Sequence, residues 1–234
     1  MRLGFLLLSV IAVLAGCATP VPPTSKIESL IVVSAVGDRL RLVEQSIPYV
    51  VDKEDVVVDW KIDDHIRKIV ADSLRGRYTV HDVAYSQAYM DDVAWKKTPA
   101  GNPAKARVVL AALRTFVPAG TADAIVYVAV ASTVSNNVGR GATRVQGIGL
   151  SILGLFAKSL FVFTAYEIMV FDGRTFEMIG EAAVARPHLR PVSWQWPGSY
   201  KDIPEDHRQD VKKVAFDMLG VNIPATLTTL GLIK

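Results

Sequence analysis

Hydrophobic positions along this chain follow two periods, and the changes between them mark the elements. Ile27 to Val36 is nearly continuous in apolar residues and stops at Gly37-Asp38, the pattern of a buried strand. Arg39 to Val51 alternates irregularly and is expected to pair beside it. Ile62, Ile66, Ile69, Val70 and Leu74 then share one face at helical spacing, with charged residues elsewhere and Gly76 as the stop. Tyr78 to Val83 alternates as a strand, Tyr85 to Trp95 reads as a weaker helix, and Gly101-Asn102-Pro103 opens a third helix near Ala104 to Arg114. Ala124 to Val130 (AIVYVAV) is the clearest strand of the chain.

The second half is richer in strands. Arg144 to Ser151 and Phe161 to Phe171 read as long strands. Asp172-Gly173 marks a hairpin turn, with Phe176 to Ala185 returning. A loop from Arg186 to Pro204 follows. Val211, Val214, Ala215, Met218 and Leu219 mark an amphipathic helix, and Asn222 with Pro224 predicts a separate last turn ending at Gly231. No internal repeat and no second linker interrupts this order. The expected fold is α/β (α+β): one domain over 27–234, with a mixed sheet, a long hairpin in its C-terminal half, and helices packed on it.

Ahead of the domain, Arg2 and the apolar run Gly4 to Val13 have the form of a signal peptide, too short to span a bilayer comfortably. The run ends in Leu14-Ala15-Gly16-Cys17, which resembles the lipobox of bacterial lipoproteins. That resemblance implies removal of residues 1–16 by cleavage between Gly16 and Cys17. It also implies a diacylglycerol on the Cys17 sulfur and an acyl group on the new amine. Two or more chains give stable membrane attachment where one gives only marginal binding. By the same resemblance, Ala rather than Asp at position 18 points to the outer membrane, with the domain facing the periplasm. Residues 17–26 hold the proline-rich stretch ATPVPPTS. As extended polyproline it would set the domain some 25 Å from the lipid, at about 3.1 Å per residue.

Composition narrows the chemistry. Cys17 is the only cysteine, so once lipidated it leaves no disulfide, no thiolate metal site and no cysteine nucleophile. A formal net charge of +3 is too small to imply a nucleic-acid partner. There is no GxSxG, HExxH, P-loop or GxGxxG sequence. The glycines at 147, 149 and 154 are read as relieving crowding in a twisted strand. His65, His81, His188 and His207 are scattered, without metal-ligand spacing. Asp63 and Asp64 are read as complementing the dipole of the first helix. No catalytic residue, metal or cofactor is assigned.

Two features stand above this background. Trp194, Trp196 and Tyr200 lie together in a polar loop (SWQWPGSY), where they could form a platform for a glycan or a protein partner, or fold back over the sheet. Ile148 to Phe163 is a sixteen-residue run whose one charge is Lys158. It reads as core strands or a docking edge, with a membrane-inserting hairpin as the alternative. Arg140 and Arg144 flank the preceding glycine-rich loop and are further candidate partner contacts.

In outline the domain is similar to the small α/β modules of envelope lipoproteins: the TolB amino-terminal domain, the curli-export channel lipoprotein and the lipoprotein activators of peptidoglycan synthases. The features carrying this likeness are SAVGD, WKIDDHI, ADAIVYVAV and the YEIMVFDGRTFEMIGEA hairpin. They are structural motifs, and no functional residue is carried over from them. The expectation is a lipid-anchored, non-catalytic envelope protein that binds an envelope partner or itself. The alternatives are an oligomeric outer-membrane export channel and a cell-wall hydrolase.

Overall fold

One strand of 14 residues, Ser159–Asp172, organises the molecule. The computed structural model describes residues 18–20, 26–46, 50–97, 105–135, 143–153, 159–183 and 188–234. In chain order these form β1 (Ala18–Thr19), β2 (Ser29–Ala35), β3 (Arg39–Ser46), β4 (Val50–Val57), α1 (Ile62–Leu74), β5 (Thr79–His81), α2 (Gln87–Asp92), α3 (Lys105–Leu113), β6 (Ala124–Val130), β7 (Ser132–Ser135), β8 (Thr143–Leu153), β9 (Ser159–Asp172), β10 (Met178–Ala183), β11 (His188–Pro191) and α4 (Glu205–Thr229).

β9 belongs to two half-sheets at once. Its C-terminal half pairs with β6 on one side and β10 on the other, giving the order β5-β2-β6-β9-β10-β1. Its N-terminal half pairs with β8 and β11, giving β4-β3-β8-β9-β11. β2 runs parallel to β5 and β6, and β3 runs parallel to β8; the pairs made by β9 are all antiparallel. The expected mixed α/β fold with a long C-terminal hairpin (β9–β10) is therefore what forms.

Two of the points where the chain passes from the first half-sheet to the second lie between β2 and β3 and between β6 and β8. Gly37 (φ 80°) and Gly147 (φ 71°) stand at these points, in backbone conformations that side chains rarely adopt. Both lie against the indole of Trp95, in the five-residue π-helical turn Val93–Lys97 that continues α2. The Trp95 Nε1–H donates to the Val36 carbonyl at 2.9 Å, and the Arg41 guanidinium lies 5.0 Å from the ring centre.

The most apolar strands occupy the most covered places. Every residue of β6 is buried, and so is every residue of β2 after Ser29. Both strands have a paired neighbour on each side and their side chains lie within the core cluster, which is why they read as continuous apolar runs. α1 packs on β2 and against α4. α4 lies on β9, where the Tyr166 hydroxyl meets Thr226 Oγ1 at 3.1 Å.

Four expectations need correction. β3 does not pair with β2; it pairs with β4 and β8. Residues 186–204 are not all loop. His188–Pro191 pairs with β9, because β10 covers only half the length of that long strand. Asn222 and Pro224 do not start a new turn. α4 runs unbroken through Pro224 to Thr229, since the buried stripe Val211, Ala215, Met218, Leu219, Ile223 and Leu227 continues across the proline and outweighs its lost hydrogen bond. Finally, Ala18 and Thr19 do not begin a free spacer but pair with Ala182 and Glu181 of β10. Gly231 (φ 76°) does end the helix.

Candidate functional site

The segments SAVGD and WKIDDHI meet where β2 ends and α1 begins. Asp38 reaches across to accept the Ile62 N–H at 2.7 Å, which supplies the helix start with the cap that Lys61 does not provide. Asp63 points inward and is 5% exposed. Its Oδ1 accepts from Ser34 Oγ (2.5 Å) and the Val36 N–H (2.8 Å); its Oδ2 accepts from the Gly37 N–H (2.9 Å) and Gln87 Nε2 (2.7 Å). The dipole role assigned from sequence fits exposed Asp64, which pairs with Arg67. It does not describe Asp63, a buried hub tying β2, α1 and α2 together.

A polar cleft of about 370 Å³ opens beside this hub, lined by Asp38, Lys61, Arg67, Tyr85, Gln87 and Asp91 among others. Gln87 Nε2 also donates to Asp91 at 2.8 Å, bridging the two carboxyl groups. Burial raises the Asp63 carboxyl to about 6, against the hydrogen bonds from Ser34, Val36 and Gly37 that pull it down. Burial likewise raises that of Asp91. A carboxylate offers about four lone-pair positions, and at Asp63 four protein donors occupy them. The hub thus ties β2 and α2 to α1, its acceptor positions being taken up within the domain.

The second buried polar pair is Lys105 with Glu167. The ammonium contacts the Glu167 carboxylate and donates to the Val130 carbonyl at 3.1 Å. Burial lowers Lys105 to about 8. Val130 is the last residue of β6, so this pair joins α3 to the point where β9 passes between the half-sheets.

The residues singled out from sequence lie elsewhere. Trp194 and Trp196 are half-buried and packed against the core, and Trp194 stacks on His207 with ring centres 4.8 Å apart. Their indole N–H groups are buried and, among the described residues, without a partner. Tyr200 is buried in a short 3-10 turn, with Arg208 5.4 Å from its ring centre. The structure thus brings the three aromatics to one region and turns much of their surface inward. Replacing Trp194 and Trp196 together by Ala is expected to lower stability by about 2–4 kcal/mol, measured by thermal or urea unfolding. An unchanged midpoint would assign them to contact instead. Arg140 and Cys17 lie outside the described residues; Arg144 pairs through its backbone with Val134 in the β7–β8 hairpin.

The histidines remain apart: His65 stacks on Phe216 at 3.9 Å, His81 is on β5, His188 begins β11 and His207 is on α4. Among the described residues no three of His, Cys, Asp and Glu are grouped to hold a metal ion. The described residues of the Ile148–Phe163 run are strand residues of β8 and β9, with Ile148, Leu150, Ile152, Leu160, Val162 and Phe163 in the core. Sequence reasoning missed Ser34, Gln87, Asp91 and Trp95. The available signal was that SAVGD and WKIDDHI each stood out without an assigned purpose.

No family model and no curated protein sequence matches the chain. Three solved structures are similar in outline. PelC from Paraburkholderia phytofirmans, solved as a dodecamer, is 12% identical over 93% of this chain and 96% of its own, with a TM-score of 0.36. A DUF330 protein from Xanthomonas campestris is 10% identical over 92% and 90%, with a TM-score of 0.41. A lipoprotein from Neisseria meningitidis is 11% identical over 87% and 98%, with a TM-score of 0.31.

Proposed function

We propose that this chain is a lipid-anchored, non-catalytic protein of the bacterial cell envelope that acts as an interaction or assembly module. The observation that carries the reading is Leu14-Ala15-Gly16-Cys17 placed directly after a short apolar run that begins behind Arg2. The anchor is the lipid on Cys17, and the membrane it holds to is the outer one, on its periplasmic side. Confinement at that surface raises the effective concentration of the domain toward an envelope partner or another copy.

Two features of the fold support a binding role over the alternatives. The buried carboxylate of the polar cleft is fully used within the domain, which disfavours a hydrolase built on it. The apolar run Ile148–Phe163 is spent on core strands in its described part, which disfavours a hairpin freed for membrane insertion. Cys17→Ser is expected to move the protein from the membrane pellet to the soluble fraction. Mass spectrometry of the mature wild-type N-terminus is expected to show the diacylglyceryl and N-acyl additions on Cys17. A wild-type protein without bound fatty acid would end this reading.

A further inference from the structure

The residue that bears the lipid in this reading is followed immediately by β1. Ala18 pairs with Ala182 and Thr19 with Glu181, both on β10. Ala18 stands at the sheet margin, and consecutive Cα atoms are about 3.8 Å apart, so a lipid on the preceding residue is tethered within one residue step of a paired strand. Cys17 carries the thioether on a single side chain. The glycerol can therefore stand only on the order of 10 Å from that margin. A proline-rich spacer of some 25 Å no longer separates lipid from domain, because the spacer residues follow β1 and lie between β1 and β2.

We infer that the β1–β10 margin of the first half-sheet is the membrane-facing side of the domain, held against the lipid headgroups by the β1 pairing. This inference rests on lipidation of Cys17. The antiparallel register fixes the direction of approach. Going from Thr19 to Ala18 the chain runs toward Ala183, whose neighbour on β9 is Glu167. The same flank of β9 continues into β11, which starts at His188 opposite Thr164. The anchor therefore enters midway along β9, and β10 and β11 together form the side nearest the bilayer. β5 and β4, at the ends of the two half-sheets, face away. At about 4.8 Å per strand they are on the order of 20 Å further out.

The placement has a functional meaning. A module swinging on a free tether could offer any surface to a partner. Here β4, β5 and the cleft beside Asp63, which lies between β2 and α1, are turned toward the aqueous compartment, where a soluble or membrane-spanning partner can reach them.

The test uses the full lipidated protein in liposomes. Because lipidation consumes the only native thiol, His188→Cys, Val57→Cys and His81→Cys each introduce a single labelling site. His188 is at the start of β11, Val57 ends β4 and is 78% exposed, and His81 is exposed on β5. An environment-sensitive fluorophore at each site is challenged with a quencher carried on the lipid headgroup. Quenching is expected to be several-fold stronger at 188 than at 57 or 81. Thr19→Pro, which removes a backbone donor and fits poorly in the β1 ladder, is expected to level the three signals. Equal quenching at all sites in the unaltered background, or a gradient that survives Thr19→Pro, overturns the inference. Mass spectrometry of the same samples separates this failure from that of the lipid anchor. Lipid present with no gradient rejects only the fixed orientation, whereas lipid absent rejects both.

Discussion

Asp63→Ala is expected to lower the stability of the domain by about 3–5 kcal/mol in urea unfolding. The substitution leaves the Val36 and Gly37 N–H groups and the Ser34 hydroxyl buried without the acceptor they now share. Each orphaned buried donor costs about 1–3 kcal/mol. The loss also has a pH signature. Folding raises the carboxyl from 3.8 to about 6, so between those values the folded state holds a proton that the unfolded chain has released. Stability contributed by this group is thus greatest below pH 4 and falls as pH rises to about 6, by an amount on the order of 2–3 kcal/mol. In the protonated form the Ser34 hydroxyl, 2.5 Å away, can turn and accept without leaving its place. Asp63→Asn removes the slope while keeping the side-chain volume, and should cost less than Asp63→Ala. A wild-type stability that rises between pH 4 and 6, or an unchanged slope in Asp63→Asn, would show that another group governs this range.

Gly149→Ala is the second large effect, and its cause is volume rather than charge. β3 and β8 run side by side with the Phe163 ring laid across position 149. A Cβ there would sit 1.9 Å from the Arg41 carbonyl oxygen and 2.5 Å from Phe163 Cζ. The ring can yield in part, but the carbonyl belongs to the β3 backbone and cannot without shifting the pairing. The expected cost is about 3 kcal/mol or more, at the upper end for overpacking. The lesion should be local to the second half-sheet, with hydrogen exchange accelerated at β3 and β8 before β2 and β6. Gly149→Ala with a native unfolding midpoint would mean that the two strands can separate at no cost.

The parts of this fold legible in the sequence are those whose cause is local. The all-apolar AIVYVAV segment was read as a strand, and the spacing of Ile62, Ile66, Val70 and Leu74 as one helix stripe, and both form. β4 was not separated from the segment ending at Val51 because its centre, Asp52-Lys53-Glu54-Asp55, is charged and breaks the apolar alternation. Pro224 misled for the opposite reason. A local rule that stops most helices was overridden by tertiary packing along α4.

The site was hidden by distance along the chain. Asp63 looks like any acidic residue in a first helical turn until Ser34 and Gln87, 29 and 24 residues away, are brought to it. Trp95 lacked any sign of its role, because the two glycines under it are separated from it and from each other by whole elements. Gly149 was different. Its expected service in a crowded strand could be proposed from sequence, although the partner it accommodates could not.

The sharing of β9 sets a timetable for the polypeptide. β6 and β8 each place one flank against residues 159–172, so neither half-sheet is complete until that stretch arrives. A chain emerging N-terminus first would hold two incomplete half-sheets until most of its length had appeared. β9 would then join the two in one late step.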